Sequence, residues 1–286
     1  MHPETQQTIT LDAMRSWLPA RPRDSHKADF GNVGILGGAV GMAGAGLLAG
    51  RAALWLGAGR VYVGLLDDRP AVDFEAPELM MSGPERVLAL TAPGCLVVGP
   101  GLGLGAAARG WLVSALDTPL PLLLDADALN LIATDASLAD RVRERVAPTL
   151  LTPHPGEAGR LSGRAGADVQ RDRPAVLREL VARYRCGVVL KGADSLIGFP
   201  DRPAWRNETG NPGMAAPGMG DVLAGMIAAL LAQGLAMEPA AVLGVHLHGA
   251  AGDRAVREGK GPAGLTASEV ARTARTMLNE LVYDLP

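Results

Sequence analysis

The sequence contains few cysteines and few aromatic residues, and neither sign of charge dominates it. Cys95 and Cys186 are the only cysteines among 286 residues, which excludes a disulfide scaffold and predicts free thiols. Aromatic residues make up 3% of the chain, too few for the stacking platforms that bind single-stranded nucleic acid. With a net charge of −3, the chain offers no basic field for nucleic acid or anionic lipid.

Long apolar runs are also missing. The longest uncharged apolar stretch, 222–232, falls short of the roughly 20 residues that a membrane-spanning helix needs. The first ten residues, MHPETQQTIT, lack the charged and then apolar plan of a signal peptide. We therefore expect a cytoplasmic protein with no membrane partner.

Glycine, in contrast, is abundant, with 37 residues or about twice its average share. The glycines cluster at 34–46, 94–105 and 210–225, each time beside a short apolar run. Glycine lets the backbone turn tightly and approach a ligand closely. The three clusters therefore predict a site that is assembled from loops at one edge of a sheet.

Short apolar runs alternate with helical segments, an order typical of a parallel sheet that helices cover on both faces. The predicted strands are 33–36, 60–66, 95–98, 122–125, 149–152 and 188–190. The predicted helices are 43–56, one that begins at 126, 218–234, 238–258 and 266–283. We predict one α/β domain over residues 26–286, preceded by an N-terminal extension over residues 1–25.

Polar residues and glycines follow these predicted strands. In open parallel sheets, ligands bind outside the carboxyl ends of the strands. The residues expected at that edge are Gly101, Gly103, Asp125, Asp127, His154, Glu157 and Lys191. Asp125 and Asp127, two residues apart, are better interpreted as one site residue and one helix cap than as a metal pair.

The most specific segment is NETGNPGMAAPGMGDVLAG, residues 207–225, in which Gly218 and Gly220 precede Asp221 and a helix. The N–H groups at a helix N-terminus form an anion site that the helix dipole reinforces. A carboxylate there can take a proton from a hydroxyl while the amides hold the phosphate that the hydroxyl attacks. The alternative is that Asp221 merely caps the helix.

Three weaker signals leave alternatives open. The segment 191–195, KGADS, can bind a nucleotide or simply form a turn. The segment 153–157, PHPGE, can present His154 to a substrate or form a rigid turn that Glu157 helps to cap. His246 and His248, two apart in a helical stretch, are expected to be packing or surface residues.

Taken together, these segments resemble the ADP- or ATP-dependent NAD(P)H-hydrate dehydratases, a branch of the ribokinase-like superfamily. The matching segments are KADFGNVGILGG (27–38), MAGA (42–45), GPGLG (99–103), LDADALN (124–130), TPHPGE (152–157), LKGADS (190–195) and NPGMAAPGMGDVLAG (211–225). No single segment is decisive, but seven in the order of the family are specific.

The resemblance implies a ribokinase-like three-layer sandwich, with a central, mostly parallel sheet between helices. It also implies repair of the S-epimers of hydrated NADH and NADPH, whose nicotinamide ring has taken up water at C6. ADP would be converted to AMP and phosphate through transient phosphorylation of the C6 hydroxyl, with Mg²⁺ as the cofactor. ADP is the expected donor, and nothing in the residues argues against ATP.

By match to the motifs of the family, two groups of site residues are implied, with Asp221 as the catalytic base. The residues expected to face the hydrate are Ala45, Gly101, Gly103, His154 and Asp221. The residues expected to hold the nucleotide are Lys191, Gly192, Ala193, Asp194, Ser195, Gly218 and Gly220. The metal ligands are not identified by the resemblance.

The expected partners are the small molecules themselves, a separate epimerase that corrects the other epimer, and further copies of the chain, with a tetramer expected by resemblance. Two other functions remain open. One is a ribokinase-like kinase that phosphorylates a stable hydroxyl, such as that of a vitamin precursor. The other is a non-catalytic adenine-nucleotide sensor, which the acid at Asp221 argues against.

Overall fold

Ten strands form one sheet in the part of the chain that the computed structural model describes, residues 7–9, 14–67 and 70–283. The strands are β1 (Gln7–Thr8), β2 (Asn32–Gly37), β3 (Arg60–Leu65), β4 (Met80–Ser82), β5 (Gly94–Val98), β6 (Leu122–Leu124), β7 (Thr149–Leu151), β8 (Gly187–Leu190), β9 (Ser195–Gly198) and β10 (Trp205–Asn207). Their order across the sheet is β1-β10-β9-β8-β7-β6-β5-β2-β3-β4. The strands from β8 to β4 are mutually parallel, and β9 runs antiparallel to both of its neighbours.

Helices cover both faces of this sheet. They are α1 (Ala43–Trp55), α2 (Pro84–Leu88), α3 (Ala106–Leu116), α4 (Asp127–Thr134), α5 (Ala136–Glu144), α6 (Pro155–Ser162), α7 (Gly166–Arg171), α8 (Arg173–Tyr184), α9 (Met219–Ala232), α10 (Met237–Arg257) and α11 (Ala267–Tyr283). Helices α1, α9, α10 and α11 share one hydrophobic core with the sheet, and α2 to α8 share a second core on the opposite face. The predicted three-layer α/β arrangement is confirmed.

The central strands are buried on both faces, which explains why they are continuously apolar rather than alternating. In β5, Cys95 and Val97 belong to the first core, and Leu96 and Val98 belong to the second. Successive side chains of a strand point to opposite faces, so each face receives every second residue. One strand therefore supplies both cores.

Helix α9, which begins at the predicted anion-binding turn, lies deep in the first core. All residues from Val222 to Ala232 are buried. A Cβ atom placed on Gly225 would lie 2.0 Å from the carbonyl oxygen of Ala49, so α9 packs against the backbone of α1. Because a side chain at 225 cannot be accommodated there, glycine fixes this close approach and with it the position of the first turn of α9.

The six predicted strands and the predicted helices are confirmed to within two residues at each end. Strands β1, β4, β9 and β10 were not predicted; each has at most four residues, and they lie at or near the two edges of the sheet. Both cysteines are free and buried, as expected. In the described ranges no helix combines the length and the apolarity that crossing a bilayer requires.

The predicted N-terminal extension contributes to the first core. Met14 and Leu18 are buried within it, and the Arg21 guanidinium donates a hydrogen bond to Gln233 Oε1 at 3.0 Å. Residues 1–6 and 10–13 lie outside the described residues. The division of the chain after residue 25 stays a prediction.

Candidate active site

A buried ion pair lies where the carboxyl ends of β6 and β8 meet. The ammonium group of Lys191 donates to Asp125 Oδ1 at 2.7 Å, and the two side chains are 17% and 2% exposed. A Cβ atom placed on Gly220 would lie 3.1 Å from Lys191 Nζ and 3.5 Å from Asp125 Oδ2. The glycine turn before α9 therefore faces this ion pair directly, and the absence of a side chain at 220 leaves room against it.

Asp221 lies in the first turn of α9 and does not cap it. The N-cap is Gly218, which adopts the left-handed conformation with φ 84°, and no side chain caps this end of the helix. The capping alternative for Asp221 is therefore wrong. The carboxyl group of Asp221 is therefore not used to cap the helix. It follows directly on Gly220, which lies beside the Lys191–Asp125 ion pair.

The surroundings of Asp221 raise its pKa to about 7, chiefly through burial and then through the negative charge of Asp125. The charge of Lys191 acts in the opposite direction, while Asp127 and Glu157 add smaller increases. A carboxyl group with a pKa near the working pH can both accept and release a proton, which is the property of an efficient general base.

His154 and Glu157 form the rigid, capped turn that was one of the two alternatives left open by the sequence. His154 is the N-cap of α6, where its Nδ1 accepts a hydrogen bond from the Gly156 amide at 2.9 Å. Glu157 accepts one from the His154 amide at 2.7 Å. The imidazole is nevertheless half-exposed, and burial together with the charges of Lys191 and Arg160 lowers its pKa, so it is neutral at pH 7. The rigid turn thus holds a neutral imidazole at the same edge.

The first turn of α1, which contains Ala45, lies against the loop that contains Gly101 and Gly103. The Ala39 amide donates to the carbonyl oxygen of Gly101 at 2.6 Å, and a Cβ atom on Gly101 would lie 3.2 Å from that of Ala45. The Gly103 amide donates to Asp127 Oδ2 at 2.8 Å. Side chains at 101 would obstruct this contact, so the glycine is required by the close approach of the loop to α1.

Asp127 differs from the prediction that one of the two acids is a helix cap. The N-cap of α4 is Ala126, and Asp127 is the first residue of the helix. Its carboxylate instead accepts from Gly103 and, at 3.3 Å, from the side-chain amide of Asn130. Asp125 pairs with Lys191, and Asp127 fixes the glycine loop that contains Gly103.

The segment Lys191–Ser195 is the turn that joins β8 to β9, and it carries unusual backbone conformations. Gly192 has φ 140° and Asp194 has φ 53°. The Ser195 hydroxyl donates to the carbonyl oxygen of Gly192 at 3.0 Å, and Asp194 pairs with Arg206 at 2.6 Å. The turn that was the alternative interpretation is therefore present, and it starts at the lysine of the ion pair.

Sequence reasoning missed Arg173, at the start of α8. Its guanidinium donates to the carbonyl oxygens of Leu190, Lys191 and Ala193, which belong to this same turn. Nothing in the sequence links position 173 to a turn some twenty residues later, because the contact exists only after α8 packs beside β8.

His248 was expected to be a packing or surface histidine, and it is a packing residue close to the site. It is buried, it forms a hydrogen bond with the backbone of Met219, and its Nε2 atom has no partner among the described residues. Burial and the charge of Lys191 lower its pKa to about 4, so the imidazole is neutral. The ring therefore supports the turn that contains Gly218 and Gly220 without adding charge to it.

The residues predicted from the sequence thus meet at one edge of the sheet. Lys191, Gly220 and Asp125 are in contact, and Asp221 and Glu157 lie within electrostatic range of Lys191. Gly218 has a further role in packing, since a Cβ atom there would lie 2.5 Å from Leu48 Cδ1. Within the described ranges no group of three or more His, Cys, Asp or Glu side chains has the geometry of a metal site.

Comparison with known proteins agrees with this arrangement. The sequence model of a family described as NAD(P)H-hydrate dehydratase matches residues 33–275. The ADP-dependent (S)-NAD(P)H-hydrate dehydratase of Neisseria meningitidis serogroup B is 44% identical over 271 residues, which cover 93% of this chain and 91% of that protein. A bifunctional NAD(P)H-hydrate repair enzyme of Coxiella burnetii is 42% identical over 92% of this chain, and the match spans 53% of the longer protein.

Among solved structures, an ADP/ATP-dependent NAD(P)H-hydrate dehydratase from Bacillus subtilis, co-crystallised with ATP and Mg²⁺, has a TM-score of 0.83 at 28% identity. The match covers 98% of this chain and all of that one. The predicted ribokinase-like fold is thereby confirmed. Since the family match extends over most of the chain and ends beyond the Asp221 turn, the chain belongs to the NAD(P)H-hydrate dehydratase family.

Proposed function

We propose that this protein dehydrates the S-epimers of hydrated NADH and NADPH, using ADP as the phosphoryl donor. The observation that carries the proposal is the position of Asp221. Its carboxyl group has a pKa of about 7 and follows directly on the glycine turn that faces the Lys191–Asp125 pair. The relatives named as ADP-dependent dehydratases support the choice of substrate and donor.

The first step transfers a phosphoryl group. Asp221 takes the proton of the C6 hydroxyl while the hydroxyl oxygen attacks the terminal phosphorus of ADP, and AMP leaves. The backbone N–H groups of the first turn of α9, with the protonated Lys191, stabilise the charge that builds up on the transferred group. This step converts hydroxide, a poor leaving group, into a phosphate ester, which leaves far more easily.

The second step is an elimination. The lone pair of the ring nitrogen expels phosphate as the C6–O bond breaks, and the loss of a proton from C5 then restores the ring double bond. Ala45, Gly101, Gly103 and the neutral His154 are proposed to face the hydrated ring. Lys191 to Ser195, Gly218 and Gly220 are proposed to hold the nucleotide.

Mg²⁺ fits this site as a companion of the nucleotide rather than as an ion in a protein cage. Magnesium is often held by one or two carboxylates together with substrate phosphates. Asp125 offers such a carboxylate, since its Oδ1 accepts from Lys191 while its Oδ2 faces the Gly220 turn. When bound there, the ion would neutralise charge on the phosphates; Asp125, with Glu157 nearby, is proposed to hold it.

The deciding experiment measures recovery of reduced-nicotinamide absorbance from purified S-NADHX and S-NADPHX, with Mg²⁺ and either ADP, ATP or no nucleotide. Recovery that requires a nucleotide supports the dehydratase and identifies the donor. Absence of recovery in protein that still binds nucleotide refutes the dehydratase. It would favour a kinase acting on a stable hydroxyl, which is the alternative prediction.

Three further expectations belong to the same proposal. A separate epimerase would convert the R-epimer, and the bifunctional relatives, which are about twice as long as the matched segment, support such a pairing of activities. A homo-oligomer, with a tetramer as the specific expectation, and a cytoplasmic location stay predictions. Sedimentation analysis of the purified chain tests the oligomeric state.

A further inference from the structure

Three carbonyl groups, one at the end of β8 and two in the turn that follows it, point at one guanidinium. Arg173 Nη2 donates to Leu190 at 3.0 Å and to Lys191 at 3.2 Å, and Nη1 donates to Ala193. A Cβ atom placed on Gly192 would lie 3.1 Å from Nη2, so the turn packs directly against the arginine. The side chain of Arg173 therefore binds three backbone carbonyl groups on one side of the turn.

The donors of the turn are left open. Within the described ranges, the amides of Gly192, Ala193 and Asp194 donate to no other residue. Gly192 and Asp194 both have positive φ, at 140° and 53°. Successive N–H groups in such alternating conformations form concave anion-binding nests. The carbonyls are thus engaged by Arg173 while the amides stay available to a ligand.

This conformation needs support, because a non-glycine residue at positive φ is strained and persists only where its surroundings enforce it. Arg173 itself stands in an unfavourable place, since it is the first residue of α8, where the helix dipole disfavours a cation. Its Nε atom is buried without a partner among the described residues. Neither the dipole of α8 nor packing in the core favours an arginine at 173, whereas its hydrogen bonds to the turn account for it.

We propose that Arg173 is a positioning residue that holds the Lys191–Ser195 turn in its nucleotide-binding conformation. This inference rests on the proposed function, in which the turn holds the nucleotide. Among the described residues, the guanidinium of Arg173 bonds to the carbonyl groups of this turn and not to Asp221. It acts on nucleotide affinity and not on the chemical step.

The test compares Arg173→Lys with Arg206→Lys in the full chain. Both substitutions keep the positive charge. Lysine at 173 cannot reproduce the fork that reaches three carbonyls, whereas Arg206 touches the same turn only through the exposed side chain of Asp194. The dissociation constant of ADP is measured by calorimetry without the hydrate, and thermal melting of the free proteins checks folding.

We expect Arg173→Lys to raise the dissociation constant of ADP at least about tenfold, which corresponds to about 1.4 kcal/mol. In turnover assays the KM for ADP rises by a similar factor, while kcat at saturating ADP changes less than about threefold, because Lys191 and Asp221 are untouched. Arg206→Lys should stay within about threefold of the unaltered chain in both constants. A purely structural role would lower the melting temperature without this split between KM and kcat.

Gly192→Ala provides a second variant that is independent of the stability of α8. Its methyl group would lie 3.1 Å from Arg173 Nη2, at a backbone φ of 140° that L residues rarely adopt, so it should disturb the turn and weaken ADP binding. Unchanged ADP binding in both folded variants overturns the inference, as does an equal loss in Arg206→Lys. If the unaltered chain binds neither ADP nor ATP, the proposed function falls and this inference falls with it.

Discussion

Replacing Asp221 with asparagine should inactivate the enzyme and at the same time stabilise the fold. Asparagine keeps the size of the side chain but can neither take a proton from the C6 hydroxyl nor carry a negative charge. Loss of a general base typically lowers the rate by about 10²–10⁴-fold. We therefore expect kcat to fall by at least about a hundredfold, while ADP affinity is retained.

The gain in stability follows from the pKa of Asp221. Its pKa in the fold is about 7, against an ordinary value of 3.8, so the folded state disfavours the ionised carboxylate. Ionisation therefore lowers the free energy of unfolding. The penalty is absent below pH 4, grows as the pH rises towards 7 and is constant above it. The difference between the two values corresponds to about 4 kcal/mol, an upper bound.

Thermal melting of Asp221→Asn and of the unaltered protein between pH 4.5 and 8 measures this penalty. The variant should melt several degrees higher at pH 8, with about 2–4 °C expected for each kcal/mol, and the gap should shrink as the pH falls. The turnover of the unaltered enzyme should fall about tenfold per pH unit below pH 7. A melting gap that does not change with pH, or a variant with normal turnover, would refute the assignment of Asp221 as the base.

Other substitutions and titrations test the surroundings of Asp221. Lys191→Met should lower the free energy of unfolding by about 3–5 kcal/mol in denaturant, because it leaves Asp125 buried without its partner. The double variant Lys191→Met, Asp125→Leu should recover much of that loss, since no unpaired charge then remains buried. Gly220→Ala should weaken ADP binding in calorimetry with little change in melting, since its methyl group would meet Lys191 Nζ at 3.1 Å; unchanged binding would contradict the proposed phosphate turn. His248 should stay neutral from pH 5 to 8, because its pKa is about 4, and imidazole nitrogen chemical shifts that titrate in this range would contradict its burial beside Lys191.

Local pattern was enough to predict most of the fold. A continuous apolar run such as 95–98 fits only a strand that is covered on both faces, and its Leu96 and Val97 do belong to different cores. Strands β4 and β10 were not predicted because three residues of mixed polarity carry too little periodicity to identify a strand. The packing of Met14 and Leu18 into the first core likewise depends on contacts that no local pattern reports.

The sequence was enough to predict which residues form the candidate site, but not which contacts these residues make with one another. Because the carboxyl ends of parallel strands meet at one edge, the order of the predicted strands by itself brings Asp125 and Lys191 to the same edge. The seven family segments, read in order, were sufficient to identify the family.

Only the tertiary structure decided what each of these groups does there. Asp221 does not cap α9, because the N-cap is Gly218, and its pKa rises because the carboxyl group is buried and lies near the charge of Asp125. Asp127 contacts the Gly103 loop, and Arg173 contacts the Lys191–Ser195 turn, across 24 and about 20 residues of sequence. The physical reason is that a residue type sets which bonds and charges are possible, whereas burial and the distances between elements determine which of them are made.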